Sequence, residues 1–334
     1  MTTLRWPAAF APRLRLLVLA ISDRCDQSCV HCQIWQGRDR AEALALDERL
    51  RLVDEALAAG VDEALLTGGE PLLSADLWPV AQRLKQGSAR LLLATSAGRL
   101  ERFASDVARL FDEVYISLDG GSAASHDALR GAPTLERVAA GIAALLRRRP
   151  RPLIVARSAL HAGNIHELEA IVCAARELGC DHVSFLALDS SSLAFGGEPA
   201  ARLPLVPSEA AVAGYEAAVA RLEARGALAD GFVLETPAKL RSLARHLRAS
   251  AGRLSFERPE CDAPWWSLMV EADGRVRPCF FHEAVGDARQ GLRVLRAGER
   301  YRAALQAIRA PNPTCERCVC PKKRGVGLLA RAWA

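Results

Sequence analysis

ISDRCDQSCVHCQIW, residues 21–35, carries Cys25, Cys29 and Cys32 in the spacing C-x3-C-x2-C. Three thiolates in so short a span can converge on one inorganic centre, but a four-iron cubane takes four Cys ligands. One iron is left open, and an open coordination position is where a metal site does chemistry. The competing assignment is a zinc site with His31 as the fourth ligand. His31 adjoins Cys32, and neighbouring residues are poorly placed to aim at one ion.

Outward from this stretch the chain alternates. Leu14 to Ile21 reads as a buried strand, with the cysteine loop at its C-terminal end. A helix capped by Asp47, with Leu50, Val53 and Leu57 as its apolar stripe, closes at Gly60. Strands follow over 61–66, 90–95, 113–118, 153–158 and 181–186, separated by helices at 75–86, 99–110, 134–149 and one capped by Asn164. Apolar runs such as LLLA and LIVA suit a sheet buried on both faces. Six strands alternating with five helices predict parallel α/β structure with right-handed crossovers. Six is too few for a closed eight-stranded barrel. The motifs Thr67-Gly68-Gly69-Glu70-Pro71 and Ser117-Leu118-Asp119-Gly120 fall at C-terminal strand ends, where such folds place their sites.

The 334 residues suffice for one large and one smaller domain: 1–230 as the core, 231–255 as a helical connector, and 256–334 as a Cys-rich region. Residues 1–12 read as a loose arm. Asp189–Pro207, rich in Ser, Gly and Pro, breaks the rhythm as a long loop, either functional or a plain linker. Ser208 then caps a helix presenting Val212, Tyr215, Val219 and Leu222. The net charge of +5, from 44 basic and 39 acidic residues, includes no concentrated basic patch, which argues against nucleic acid. The apolar run near the N-terminus is far shorter than a bilayer span, so no membrane partner is expected. Ten cysteines without an export signal point to metal or redox roles in a cytoplasmic protein. Cys173 and Cys180 read as core packing.

The remaining cysteines form a second group. Cys261 and Cys279 flank a hairpin signalled by Ala272-Asp273-Gly274, and Cys315-x2-Cys318 follows with Cys320 close behind. Four thiolates make a complete site for zinc or an iron–sulfur cluster alike. Cys320 is a spare that could replace Cys318.

The C-x3-C-x2-C loop followed by GGEP resembles the radical S-adenosylmethionine (SAM) superfamily. Cys261, Gly274-x4-Cys279 and the late C-x2-C resemble its SPASM or shortened "twitch" auxiliary-cluster domain. The resemblance implies a partial (β/α)6 TIM-like barrel with a small twitch-like domain. It implies a [4Fe–4S] cluster on Cys25, Cys29 and Cys32, with SAM on the fourth iron, and a second auxiliary [4Fe–4S] cluster on Cys261, Cys279, Cys315 and Cys318. Gly68, Gly69 and Glu70 would meet the SAM amino group, Ser117 and Asp119 its ribose or carboxylate. Arg130, in His126-Asp127-x2-Arg130-Gly131, and Arg157 compete for the carboxylate. Thr95-Ser96-Ala97-Gly98 lacks the Asn of the relatives' Thr-Asn-Gly.

Such an enzyme cleaves SAM reductively to a 5′-deoxyadenosyl radical that takes a hydrogen atom from its substrate. The expected reaction is an oxidation or rearrangement of a small molecule or a cofactor or natural-product precursor, assisted by the auxiliary cluster. Maturation of a ribosomal peptide is the alternative, and a non-catalytic iron–sulfur or zinc protein the reading from another class. A flavodoxin or ferredoxin would supply electrons. Asp189, Glu198, Trp265 and His282 are candidates for substrate contact by position.

Overall fold

A computed structural model describes residues 13–36, 43–196 and 198–323; the arm read over residues 1–12 lies outside them. Six parallel strands run side by side in the order β6-β5-β4-β3-β2-β1. They are β1 (Leu16–Ser22), β2 (Glu63–Gly68), β3 (Arg90–Thr95), β4 (Glu113–Ser117), β5 (Leu153–Leu160) and β6 (His182–Ala187). The helices between them are α1 (Leu46–Ala58), α2 (Leu77–Gln86), α3 (Leu100–Leu110), α4 (Ala123–Arg130), α5 (Leu135–Leu146) and α6 (Leu168–Glu177). This is a partial (β/α) barrel. On its inner face Leu65, Leu92, Tyr115 and Val155 form a compact apolar layer, one residue per strand, as period-two alternation requires. Below them Arg90 bridges Glu63 (3.2 Å) and Glu113, and the Tyr115 hydroxyl donates to Glu113 at 2.5 Å.

The sheet continues past β1. Strand β7 (Ser267–Val270) pairs parallel with β1, Leu16 opposite Ser267 and Leu19 opposite Val270. β8 (Arg275–Arg277) and β9 (Gly286–Asp287) extend it antiparallel, making nine strands in one sheet among the described residues. The Asp-Gly hairpin is present, with Gly274 at φ +95°, a conformation that favours glycine. Arg49, buried on α1, ties the hairpin to the barrel by donating to Leu44 O (3.0 Å), Ala20 O (3.4 Å) and Ala272 O (3.5 Å). Beyond β6, α7 (Glu209–Ala224) starts at the Ser208 cap and buries Val212, Tyr215, Val219 and Leu222. α8 (Pro237–Ser250) lies on the connector. Its approach segment brings Val233 beside Val183 of β6, and the Glu235 carboxylate accepts from Ser184 Oγ (2.7 Å) and Phe185 N (2.9 Å).

Several local expectations are corrected. Asp47 is not the cap of α1: the cap is Ala45, whose N–H donates to the Glu48 carboxylate at 2.9 Å. Asn164 caps no α-helix. Its amide is drawn inward, donating to Asp119 O (3.1 Å) and Ala159 O (3.0 Å), and α6 begins four residues later. Cys173 faces solvent on α6 and only Cys180 is buried. Helix α4 went unrecognised, although its Ser122 cap and the left-handed Gly131 (φ +69°) after its last turn are ordinary signals.

Candidate active site

The first cysteine group sits on the loop after β1, and the end of β2 is moulded against that loop. Gly69 N donates to Ser22 O and Glu70 N to Arg24 O, each at 2.7 Å. A Cβ at Gly68 (φ +134°) would lie 2.1 Å from Ser22 O, and one at Gly69 2.4 Å from Arg24 O, so only glycine fits either place. Glu70 is fully buried. Its carboxylate accepts from Leu72 N (3.0 Å), Thr95 Oγ1 (2.8 Å), Ser96 N (2.7 Å) and Ser96 Oγ (2.6 Å). Thr95 and Ser96 thus clasp the β2 end to the β3 end, and Ala97 takes the left-handed turn (φ +62°) despite its Cβ. The end of α4 seats the loop from the other side: Val30 N donates to Leu129 O (3.0 Å) and Ser28 Oγ to Gly131 O (3.3 Å). The 189–207 loop is no plain linker. Phe195 O accepts from Gln33 N at 2.8 Å and lies 3.7 Å from Cys32 Sγ.

Burial pushes the Cys25 and Cys29 thiols up to about 11 and raises Cys32 as well. Three neutral thiols that must ionise to coordinate are the donor set of a soft metal centre, whose charge displaces their protons. Around them lie buried nitrogens without hydrogen-bond partners among the described residues: Gln27 Nε2, His31 Nδ1, His161 Nε2 and Arg202 Nε. The Gln27, His161 and Arg202 donors await acceptors, and His31 Nδ1 awaits a partner. An iron–sulfur cluster with SAM, rich in sulfur, carboxylate and nucleoside acceptors, fits that need.

Asp119 and Arg130 form a buried pair, Nη1 to Oδ2 at 2.9 Å, and Arg130 Nε donates to Gln27 Oε1 at 2.7 Å. Despite its burial, the Asp119 carboxyl stays below its usual range because Arg130 and three histidines, His31, His126 and His161, stand near it. Ser117, at the end of β4, pairs in register with Arg157 on β5. The Arg157 Nη1 donates to Ser184 Oγ (3.3 Å), and its guanidinium lies 5.7 Å from the Tyr115 ring centroid. The two arginines are divided: Arg130 interacts with Cys29 and Cys25, Arg157 with Cys320.

The histidines make a testable pH dependence. His126 Nδ1 accepts from Asp119 N (3.2 Å), and burial lowers its imidazole to about 4. The unfolded chain therefore binds a proton that the folded chain refuses between about pH 6.5 and 4, so stability falls as pH drops through that window. His126→Gln keeps an acceptor for Asp119 N. Denaturant titrations should show it losing about 2 kcal/mol less than the parent between pH 7 and pH 5. Identical losses would remove His126 from this account.

The second group is gathered too. Cys261, Cys279, Cys315 and Cys318 line one cavity with Phe281 and His282. Cys320 interacts electrostatically with Cys261, Cys279 and Cys318, so the spare stands among the others. His282 Nε2 lies 3.3 Å from Cys315 Sγ, and Lys322 N donates to Cys261 Sγ at 3.4 Å. Burial pushes Cys279 up to about 12. Among the described residues, no three His, Cys, Asp or Glu side chains form a single-ion site in either group.

The profile of the radical SAM superfamily matches residues 19–172, and that of the SPASM iron–sulfur cluster-binding domain matches residues 261–319. The chain belongs to the radical SAM superfamily, with a C-terminal SPASM region. It is similar to the GTP 3′,8-cyclase of Caulobacter vibrioides, 33% identical over 180 residues, 52% of this chain and 51% of that one. It is similar to the AdoMet-dependent heme synthase of Methanosarcina barkeri, 31% identical over 178 residues, 52% of this chain and 50% of that one. The chain thus spans about half the length of these curated relatives. A GTP 3′,8-cyclase of Heliobacterium modesticaldum is 27% identical over 299 residues, 85% of this chain and 86% of that one. The fold is shared with anSMEcpe with bound AdoMet (TM-score 0.65, 14% identity, 91% of this chain and 86% of that one). It is shared also with SuiB of Streptococcus suis (TM-score 0.61, 15% identity, 92% and 72%).

In this member of the radical SAM superfamily a cavity of about 200 Å³ adjoins the SPASM cysteines, sharing Phe281, His282 and Thr314 with theirs. Its other wall is the start of the loop that covers the first group, Asp189 to Leu193. Of the four groups picked for substrate contact, Asp189 and His282 line this cavity. The Asp189 carboxylate is already engaged by the backbone and hydroxyls of Ser191 and Ser192, so it braces the loop. Glu198 is exposed, and Trp265 lies beneath the Arg309 guanidinium, 5.4 Å from its ring centroid. Arg202 escaped sequence reasoning; an Arg inside a Ser-Gly-Pro loop carries no local signal of burial. Among the described residues no helix is long and apolar enough to cross a membrane.

Proposed function

We propose that the enzyme oxidises a small polar molecule: hydrogen-atom abstraction would remove the first electron with a proton, and the auxiliary cluster would accept the second. The observation that carries this is the 200 Å³ cavity between the loop roofing the first cysteine group and the wall of the second, smaller than the usual pocket for a drug-sized ligand and so sized for the reacting end of a small molecule. The relatives' names, a GTP cyclase and a heme synthase, lie in the same direction.

In this reading Cys25, Cys29 and Cys32 hold a [4Fe–4S] cluster, and four of Cys261, Cys279, Cys315, Cys318 and Cys320 hold an auxiliary one. With SAM bound, the first centre would supply a 5′-deoxyadenosyl radical. The residues of this chain bind, orient and shield. Gly68 and Gly69 let backbone approach closely. Glu70, its carboxylate saturated by four donors, fixes that backbone and leaves the amino group of SAM to main-chain oxygens. Ser117 and Asp119 stand on the SAM side. The electrostatic interaction of Arg130 with Cys29 and Cys25 supports a role for it at the SAM end, and that of Arg157 with Cys320 supports a role at the auxiliary end. Phe195 packs edge-on against Phe280, rings 5.4 Å apart, and Phe280 in turn against Phe281 of the second group's cavity, a chain of rings that links the loop over one centre to the other. A flavodoxin or ferredoxin in the cytoplasm would deliver the electron.

The test is anaerobic incubation with SAM, reductant and deuterated candidate metabolites. Deuterium in 5′-deoxyadenosine identifies the substrate. Deuterium arriving only from labelled peptides would replace this reading with peptide maturation.

A further inference from the structure

Gln27 lies between two cysteines of the first group, 3% exposed, and its amide is oriented by chemistry alone. Arg130 Nε, which can only donate, occupies Gln27 Oε1 at 2.7 Å, and Arg130 is itself fixed by Asp119 at 2.9 Å. The amide therefore cannot flip, and its NH2 must turn away from Arg130. There Nε2 has no partner among the described residues. A buried amide donor without an acceptor is costly, so the site supplies one when loaded. The Cys29 thiol donates to Oε1 of the same side chain at 3.8 Å, so the amide stands beside a cysteine of the group, and Cys25 lies two positions before Gln27.

We propose that Gln27 is a positioning and tuning residue of the first iron–sulfur centre, its amide N–H directed by the Asp119–Arg130 pair to donate to a cluster sulfur. This rests on the first cysteine group holding the cluster, but not on any substrate. A hydrogen bond to cluster sulfur favours the reduced, more negative form and raises the reduction potential. The unpartnered Arg202 Nε and His161 Nε2 point to further acceptors in the same place.

The experiment uses full-length protein reconstituted without oxygen, with iron counted first so that a missing centre is read separately. Gln27→Leu removes the donor. Gln27→Glu removes it while keeping an oxygen for Arg130, which protects the fold. Both should load the parent's iron and show a lowered midpoint potential. Pulsed EPR of reduced protein carrying glutamine labelled with 15N at the side-chain amide should show a nitrogen coupling that vanishes in Gln27→Glu. A coupling that is absent, or that survives Gln27→Glu through Gln33, overturns the proposal. So does an unchanged potential in fully loaded Gln27→Leu.

Discussion

Changing Cys25, Cys29 or Cys32 singly to Ala should cut 5′-deoxyadenosine release more than about 100-fold, since even outer partners of metal ligands are worth 10–100-fold. Iron should fall from about eight to about four per chain, because each cubane carries four. The reason is ligand number. A site already one thiolate short of a complete shell has no reserve, and removing another leaves two irons without protein ligands. Serine would not rescue, being a harder and less acidic donor. Cys173→Ala, on the exposed face of α6, is the matched control and should change neither readout. Parent-like release from all three variants would remove these cysteines from the chemistry. Iron near four with stoichiometric zinc in the parent would instead make the SPASM site a zinc site.

Glu70→Ala should destabilise the protein by about 3–5 kcal/mol, the range for breaking a buried charged network. Four donors, Leu72 N, Thr95 Oγ1, Ser96 N and Ser96 Oγ, would lose their acceptor in a place water does not reach. Against a typical total of about 5–15 kcal/mol, that is a large fraction. Glu70→Gln should fall between, about 1–3 kcal/mol, because its NH2 would confront a donor. Denaturant midpoints measure both, and SAM titration reports whether the β2 end has lost its shape. A Glu70→Ala midpoint equal to the parent's would mean that the clasp between β2 and β3 contributes nothing.

How much of this was legible beforehand differs by kind of feature. Alternating apolar strands and helices carry their own period, so β1 to β6 fall within two residues of the bounds read from it. Ser208 and its four buried partners were read correctly because cap and stripe lie within one helix. Asp47 and Asn164 were misread because several nearby groups can cap one helix end. Which one does depends on what else draws the side chain, and for Asn164 that includes Asp119, just past the end of β4 and 45 residues away along the chain. Cys173 was misplaced because spacing along a helix does not say which face is inward.

The site divides the same way. Ligand count and spacing along the loop are one-dimensional quantities, and they belong to the amino-acid order. Sequence alone determined the six-strand α/β rhythm, the three-thiolate loop one ligand short, and the glycines at the end of β2. Tertiary structure decided what those features meet. It placed the Asp-Gly hairpin beside β1, laid the 189–207 loop over the cysteines, turned Glu70 inward among four donors, and sent Arg130 and Arg157 toward different cysteine groups. Each of these joins residues that are distant along the chain. No local pattern encodes such a meeting, because its energy comes from partners that only the folded chain brings within hydrogen-bonding distance.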